Sequence, residues 1–79
     1  MQAYIVRAGF YDYGGVVETP EILSESEFKK LQEAFDSAVC SYYNLPVELR
    51  HRKKIDLADM VNYFIKNYGF KNAKFHDLG

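Results

Sequence analysis

The sequence predicts an α+β fold in which two amphipathic helices pack on one face of a small, three-stranded antiparallel sheet. Three features indicate this fold: an alternating N-terminal segment followed by turn residues, two longer segments with apolar residues at helical spacing, and a short alternating C-terminal segment. Because a chain of 79 residues holds one hydrophobic core, we predict a single domain over residues 1–79.

The first predicted element is an N-terminal β-hairpin. Residues 2–10 alternate between two faces, as in a half-buried strand. Residues 12–15 supply turn chemistry, since glycine tolerates positive φ, and the β-branched residues 16–19 predict the returning strand, which ends at Pro20. One face of the first strand then carries Tyr4, Val6, Ala8 and Phe10.

The first helix is predicted to begin after Ser24. Glu27 follows Ser24 at the spacing of a capping box, and Pro46 limits the helix to about Asn44 or Leu45. The apolar residues recur at helical spacing and comprise Phe28, Leu31, Phe35, Ala38, Val39 and Tyr42.

The second helix is predicted to begin after Asp56, which is a good N-cap residue. Gly69 stands where a left-handed C-cap belongs, and Phe70 is expected to fold back over the last turn. The apolar stripe of this helix holds Leu57, Met60, Val61, Phe64, Ile65 and Tyr68.

The segments on either side of the second helix have weaker patterns. Residues 46–55 suit a strand by alternation, but Pro46 also starts helices, and we favour a short helical turn followed by an extended basic stretch. Residues 73–78 predict a last short strand.

Composition and cysteine usage indicate a globular protein of a reducing compartment. Hydrophobic residues make up 48% of the chain, and Cys40 is the only cysteine, so no intramolecular disulfide can form. The apolar start of the chain is interrupted at Arg7, too early for a signal peptide or a membrane span. We therefore expect a cytoplasmic protein with no membrane partner.

The run from Phe10 to Gly15 is the most informative candidate site. It places three aromatic rings beside a glycine pair at the predicted hairpin tip, where a short chain has little room to bury them. Tyrosine offers a large, rigid contact area at low entropic cost. One interpretation is that these rings lie under the turn as core. The other is a partner-binding loop formed by Phe10, Tyr11, Asp12 and Tyr13.

The outer face of the first helix is a second candidate surface. At about 100° per residue this face gathers Lys29, Glu33, Asp36, Ser37 and Cys40. It is either an ordinary solvated face or an acidic partner-binding surface through Glu33 and Asp36. Tyr43 and Tyr63 lie off the apolar stripes of their helices, and they either flank the core or extend the aromatic surface.

Bases concentrate in residues 50–54, whereas acids prevail in the first part of the chain. Such a cluster can neutralise phosphates, which would make Arg50, Arg52, Lys53 and Lys54 a nucleic-acid-binding segment. The alternative is a solvated loop whose bases pair with acids of the first helix. The net charge of −1 favours the second interpretation, because nucleic-acid modules are usually basic.

Catalytic and metal motifs are absent from the sequence. Cys40, His51 and His76 show neither the spacing of a closed zinc site nor that of a nucleophile with its base. The glycine pair lacks the residues of a phosphate loop. We therefore expect no enzyme, no metal and no cofactor.

These patterns together predict a small protein-binding module that acts stoichiometrically on a larger protein. An inhibitor or adaptor, of the kind that phages and mobile elements often encode, fits a short chain without catalytic motifs. Two alternatives stay open: a nucleic-acid-binding protein that uses residues 50–54, and a homodimer formed through an open edge or face of the sheet.

Overall fold

An N-terminal hairpin, three helices and a C-terminal strand make up the part of the chain that the structure describes. The computed structural model describes residues 1–51 and 55–78, except for the side chain of His51. In chain order the elements are β1 (Gln2–Ala8), a 3-10 turn (Gly9–Tyr11), β2 (Tyr13–Thr19), α1 (Glu25–Tyr43), α2 (Val47–His51), α3 (Leu57–Asn67) and β3 (Lys74–Asp77).

The three strands form an antiparallel sheet in the order β1-β2-β3. Tyr4 of β1 pairs with Val17 of β2, which pairs in turn with Phe75 of β3, so these three residues lie in one row. Helices α1 and α3 pack against each other and against the sheet. The predicted α+β fold, with its N-terminal hairpin and C-terminal strand, is confirmed.

The hairpin turns earlier than the sequence predicts. The chain reverses through the 3-10 turn Gly9–Tyr11, and Asp12 then adopts the left-handed conformation with φ of 50°. Aspartate tolerates this conformation better than most residues. A bond of 3.2 Å from the Arg7 guanidinium to the Asp12 carboxylate also holds the turn. Strand β2 therefore begins at Tyr13, before the predicted start at residue 16.

The glycine pair lies inside β2 and makes no turn. A Cβ atom on Gly15 would stand 2.5 Å from the ring of Phe75, and one on Gly14 would stand 2.8 Å from the carbonyl oxygen of Val6. Both distances are too short for a side chain. Gly14 thus allows β1 to lie close to β2, and Gly15 allows β3 to do so.

Helix α1 begins and ends where its sequence signals place it. The Ser24 side chain accepts a hydrogen bond of 3.2 Å from the amide of Glu27, and the Glu27 carboxylate accepts one of 2.9 Å from the amide of Ser24. These reciprocal bonds are the predicted capping box. The helix ends at Tyr43, shortly before Pro46.

Helix α3 also has the caps that its sequence predicts. The Asp56 carboxylate accepts a hydrogen bond of 3.0 Å from the amide of Ala58. At the other end Gly69 has φ of 105°, and the amide of Phe70 donates to the carbonyl of Ile65 at 3.0 Å. This bond folds the chain back over the last turn.

The core lies between the sheet and the two long helices. Phe35 of α1 is at its centre, 5.8 Å from the ring of Tyr13 and 5.4 Å from that of Phe75 between centroids. Among the described residues, the largest fully buried side chains are Val6, Val17, Leu31, Phe35, Val39, Val61 and Ile65.

The short helix α2 confirms the helical turn predicted after Pro46. The extended basic stretch predicted after it falls on residues 52–54, which lie outside the described residues. Over residues 1–51 and 55–78, none of the helices combines the length and the apolar character needed to cross a membrane.

Candidate functional site

Phe10 is the most exposed large apolar residue at the hairpin tip. Phe10 lies in the 3-10 turn between β1 and β2, and 92% of its surface is accessible. Its ring meets that of the half-buried Tyr11 edge to face, with 5.0 Å between centroids. The tip thus presents one free ring that rests on a second, partly covered ring.

Tyr11 is held by the end of α1. Its ring stacks on that of Tyr43 with centroids 4.7 Å apart and planes within 3° of parallel. Tyr43 also meets Tyr42 edge to face at 5.2 Å, and the Arg50 guanidinium carbon lies 5.5 Å from the Tyr43 centroid. We define Phe10, Tyr11, Tyr42 and Tyr43 as the aromatic cluster.

Cys40 anchors the same region from the outer face of α1. A hydrogen bond between the Tyr11 hydroxyl and the Cys40 thiol raises the pKa of Tyr11 above its usual value, and partial burial adds to this shift. The side-chain amide of Asn44 donates to the same sulfur at 3.5 Å. The thiol is exposed, as the helical periodicity predicts.

A cavity of about 360 Å³ opens between the hairpin tip and α1. Phe10 and Tyr11 contribute rings to its wall, while Asp36 contributes a carboxylate from the helix. Its complete lining is Arg7, Ala8, Gly9, Phe10, Tyr11, Asp36 and Cys40. The structure therefore brings Phe10 and Tyr11 of the predicted loop and one of the predicted acidic residues of α1 to one place, whereas Asp12 and Tyr13 do not line this cavity.

The two acids predicted on the outer face of α1 have different surroundings. Asp36 lines the cavity and accepts a hydrogen bond of 3.0 Å from the side-chain amide of Gln32. Glu33 is exposed one turn earlier and is not among the residues that line this cavity. Only Asp36 is thus combined with the aromatic rings.

Tyr13 faces the core, whereas Phe10, Tyr11 and Asp12 lie at the surface of the tip. Its ring stacks on Phe35, and its hydroxyl donates to the Asp77 carboxylate at 3.0 Å. Burial, followed by this hydrogen bond, raises the pKa of Tyr13 well above its usual value. Any partner contact by Tyr13 would use the part of the side chain that remains accessible.

Of the predicted basic segment, the structure describes the side chain of Arg50 alone. This arginine is half-buried over Tyr43, and its Nε atom is buried without a hydrogen-bond partner. Arg52, Lys53 and Lys54 lie outside the described residues. The nucleic-acid prediction for this segment therefore stays a prediction.

Tyr43 and Tyr63 are the two rings that lie off the apolar stripes of their helices. Tyr43 joins the aromatic cluster, while the exposed Tyr63 lines a separate cavity with Met60 and Phe64. The sequence does not predict that Arg50 lies over the ring of Tyr43, because no local pattern shows that α2 lies near the end of α1.

Comparison of the chain with protein-family models, with curated proteins and with solved structures gave no match. Within the described residues there is no group of three or more His, Cys, Asp and Glu side chains placed to hold a metal ion. The functional interpretation therefore depends on the geometry of the tip.

Proposed function

We propose that the protein is a stoichiometric protein-binding module and that the hairpin tip is its contact surface. The observation that carries this proposal is the ring of Phe10, which is 92% accessible although it belongs to the aromatic cluster. Phenylalanine, like the other aromatic residues, is enriched in protein–protein interfaces relative to the rest of the surface.

The packing beneath Phe10 favours a binding role on energetic grounds. The Tyr11 ring is already stacked on Tyr43, so binding need not order it. Side chains that are rigid before binding lose less entropy in the complex. Full burial of the Phe10 ring by a partner would contribute on the order of 1.5–3 kcal/mol.

An inhibitor or adaptor role extends this proposal. It agrees with the accessible ring of Phe10 and with a sequence in which we find no catalytic motif. A phage or mobile-element origin stays a prediction.

The test compares Phe10→Ala with Ile22→Ala. Both side chains are more than three-quarters accessible, but Ile22 lies outside the hairpin tip. Tagged wild-type and variant proteins are used to capture binding proteins from a cell extract, with and without nuclease and at two salt concentrations. The captured protein is then titrated against each variant.

We expect wild type and Ile22→Ala to bind the same protein through nuclease treatment and moderate salt. Phe10→Ala should weaken that binding at least about tenfold, which equals about 1.4 kcal/mol. Equal binding by Phe10→Ala would contradict the proposed surface. Loss of all binding on nuclease treatment would favour the nucleic-acid alternative through residues 50–54.

A further inference from the structure

We propose that the cavity between the hairpin tip and α1 receives an arginine side chain of the partner. This inference rests on the proposed function and adds the chemistry of the partner residue. The cavity combines two aromatic walls with one carboxylate, and its volume of about 360 Å³ is at the small end of the range of ligand pockets.

The aromatic wall attracts a cation. Phe10 and Tyr11 stand edge to face, and both line the cavity. One face of Tyr11 is covered by Tyr43, so the ring surface open to a bound group is mainly that of the accessible Phe10. A guanidinium within about 6 Å of a ring centroid is attracted by the ring quadrupole. The same geometry already occurs next to the cavity, where Arg50 of this chain lies over Tyr43.

Asp36 supplies the negative charge. Its one hydrogen bond comes from the neutral amide of Gln32, and in the described part of the chain it forms no ion pair. A carboxylate with this environment keeps acceptor positions for an incoming donor. A charged donor on the partner would form a charge-assisted hydrogen bond there.

The basic residue in the cavity lining does not cancel this charge. The guanidinium of Arg7 is paired with the carboxylate of Asp12 at 3.2 Å. Gly9 leaves the adjoining wall open, because a Cβ atom there would meet nothing within 4 Å. The cavity therefore has an acidic group, aromatic walls and an accessible entrance.

Arginine fits these features better than lysine. Its planar guanidinium stacks on aromatic faces and bonds to carboxylates in a fixed fork, whereas the ammonium group of lysine is compact and strongly hydrated. The carboxylate and the rings belong to different elements, so a partner arginine would also join the tip to α1.

The experiment uses the whole protein and needs no partner. Nα-acetyl-arginine methylamide is titrated into isotopically labelled protein, and amide NMR shifts of Gly9, Tyr11 and Asp36 are followed. The citrulline analogue, which has nearly the same shape but no charge, is the matched ligand control. Asp36→Asn is the test variant, because asparagine keeps an acceptor for the Gln32 amide, and Glu33→Gln is the control variant.

We expect the arginine probe to shift these signals in wild type and in Glu33→Gln, and the citrulline probe to leave them unchanged. Asp36→Asn should weaken arginine binding about threefold to fivefold, as removal of an exposed ion pair does. Equal shifts with citrulline, or equal affinity in Asp36→Asn, would overturn the inference.

The two proposals fail separately. In the first case, Phe10→Ala loses the captured protein, but Asp36→Asn binds both the arginine probe and that protein as well as wild type does. The contact surface is then correct and the arginine site is wrong. If the probe binds as expected but Phe10→Ala captures its protein normally, the contact surface itself is wrong.

Discussion

Gly15 shows how one residue fixes the approach of two strands. It faces inward from β2, and Phe75 of the neighbouring strand places its ring where a side chain would stand. The Phe75 ring also packs on Phe35. Phe75 therefore cannot rotate to make room for a side chain at Gly15 without disturbing the core. Glycine is required here for its size, since its φ is not positive.

Substitution of Gly15 by alanine is therefore expected to destabilise the fold. Overpacking of this kind costs about 1–3 kcal/mol. The matched control is Gly9→Ala, because a Cβ atom at Gly9 meets open space, and this variant should change the free energy of unfolding by less than about 1 kcal/mol. Urea unfolding measures both variants, and equal midpoints for the two would show that β2 and β3 can separate without cost.

At the scale of elements, the caps of α1 and α3 explain why both helices are predictable from sequence. Ser24 with Glu27 and Asp56 with Ala58 form bonds within four residues of the helix start. Such local bonds do not depend on how the helix later packs. The helix bounds were accordingly predicted closely.

The hairpin was predicted less well because its turn depends on contacts outside the turn. The glycine pair suggested a tight turn, but it is used for the close approach of Phe75 and Val6. With β2 starting at Tyr13, the alternation of the strand puts Tyr13 on the inner face with Gly15. The run of aromatic residues in the sequence therefore includes both a core residue, Tyr13, and an exposed residue, Phe10.

The candidate site was predictable only in its parts. Phe10 and Tyr11 were suggested by rings beside turn residues, and Asp36 by helical periodicity. Their common cavity depends on the angle at which α1 crosses the hairpin, which no local pattern encodes. The stacking of Tyr43 on Tyr11 has the same origin.

The capping box of α1 also predicts a pH dependence. Hydrogen bonds from the backbone and then the side chain of Ser24 lower the pKa of Glu27 below its usual 4.5, and the charge of Lys30 contributes to this shift. The unfolded chain therefore binds the proton of Glu27 at higher pH than the folded chain does. The contribution of Glu27 to stability is present above pH 4.5 and is lost as pH falls through its lowered pKa.

Glu27→Gln tests this dependence, because glutamine keeps an acceptor for the Ser24 amide but cannot titrate. The urea midpoint of wild type should exceed that of Glu27→Gln at pH 7, and the difference should shrink at pH 3. Glu25→Gln, in the same first turn but outside the capping box, serves as control. A difference between wild type and Glu27→Gln that is constant with pH would exclude the proposed role of the Glu27 charge.

At the scale of the whole molecule, a helix side chain holds the backbone at each edge of the sheet. On β1, the side-chain nitrogen of Gln32 donates to the backbone carbonyl of Arg7 at 2.8 Å. The side-chain oxygen of Gln32 accepts from the backbone N–H of Arg7 at 3.4 Å. On β3, the Asn62 side chain accepts from the amide of Phe75 at 2.8 Å and donates to its carbonyl at 3.5 Å. Each carboxamide thus acts like one residue of a further strand.

These bonds protect edges that would otherwise be free to pair with another chain. The two edges differ in part in their side chains, since β3 carries Lys74 and His76, whereas β1 carries the exposed, charged Arg7 and the apolar Ile5, which is 72% accessible. Charged side chains oppose pairing between edges, and apolar ones favour it. The β1 edge thus has one side chain of each kind, and the Gln32 side chain adds to its protection.

Gln32→Ala should release the β1 edge. The substitution removes the two bonds to Arg7 and the bond to Asp36, so we expect the free energy of unfolding to fall by about 1–2 kcal/mol, with each exposed bond at the low end of the usual net value. We also expect the sedimentation coefficient to rise with protein concentration more steeply than in wild type, because the freed backbone of Arg7 can pair with β1 of a second copy. Glu33→Ala, an exposed neighbour on α1, controls for general changes of the helix. If Gln32→Ala and Glu33→Ala sediment alike at every concentration, the Gln32 amide stabilises the monomer without guarding its edge.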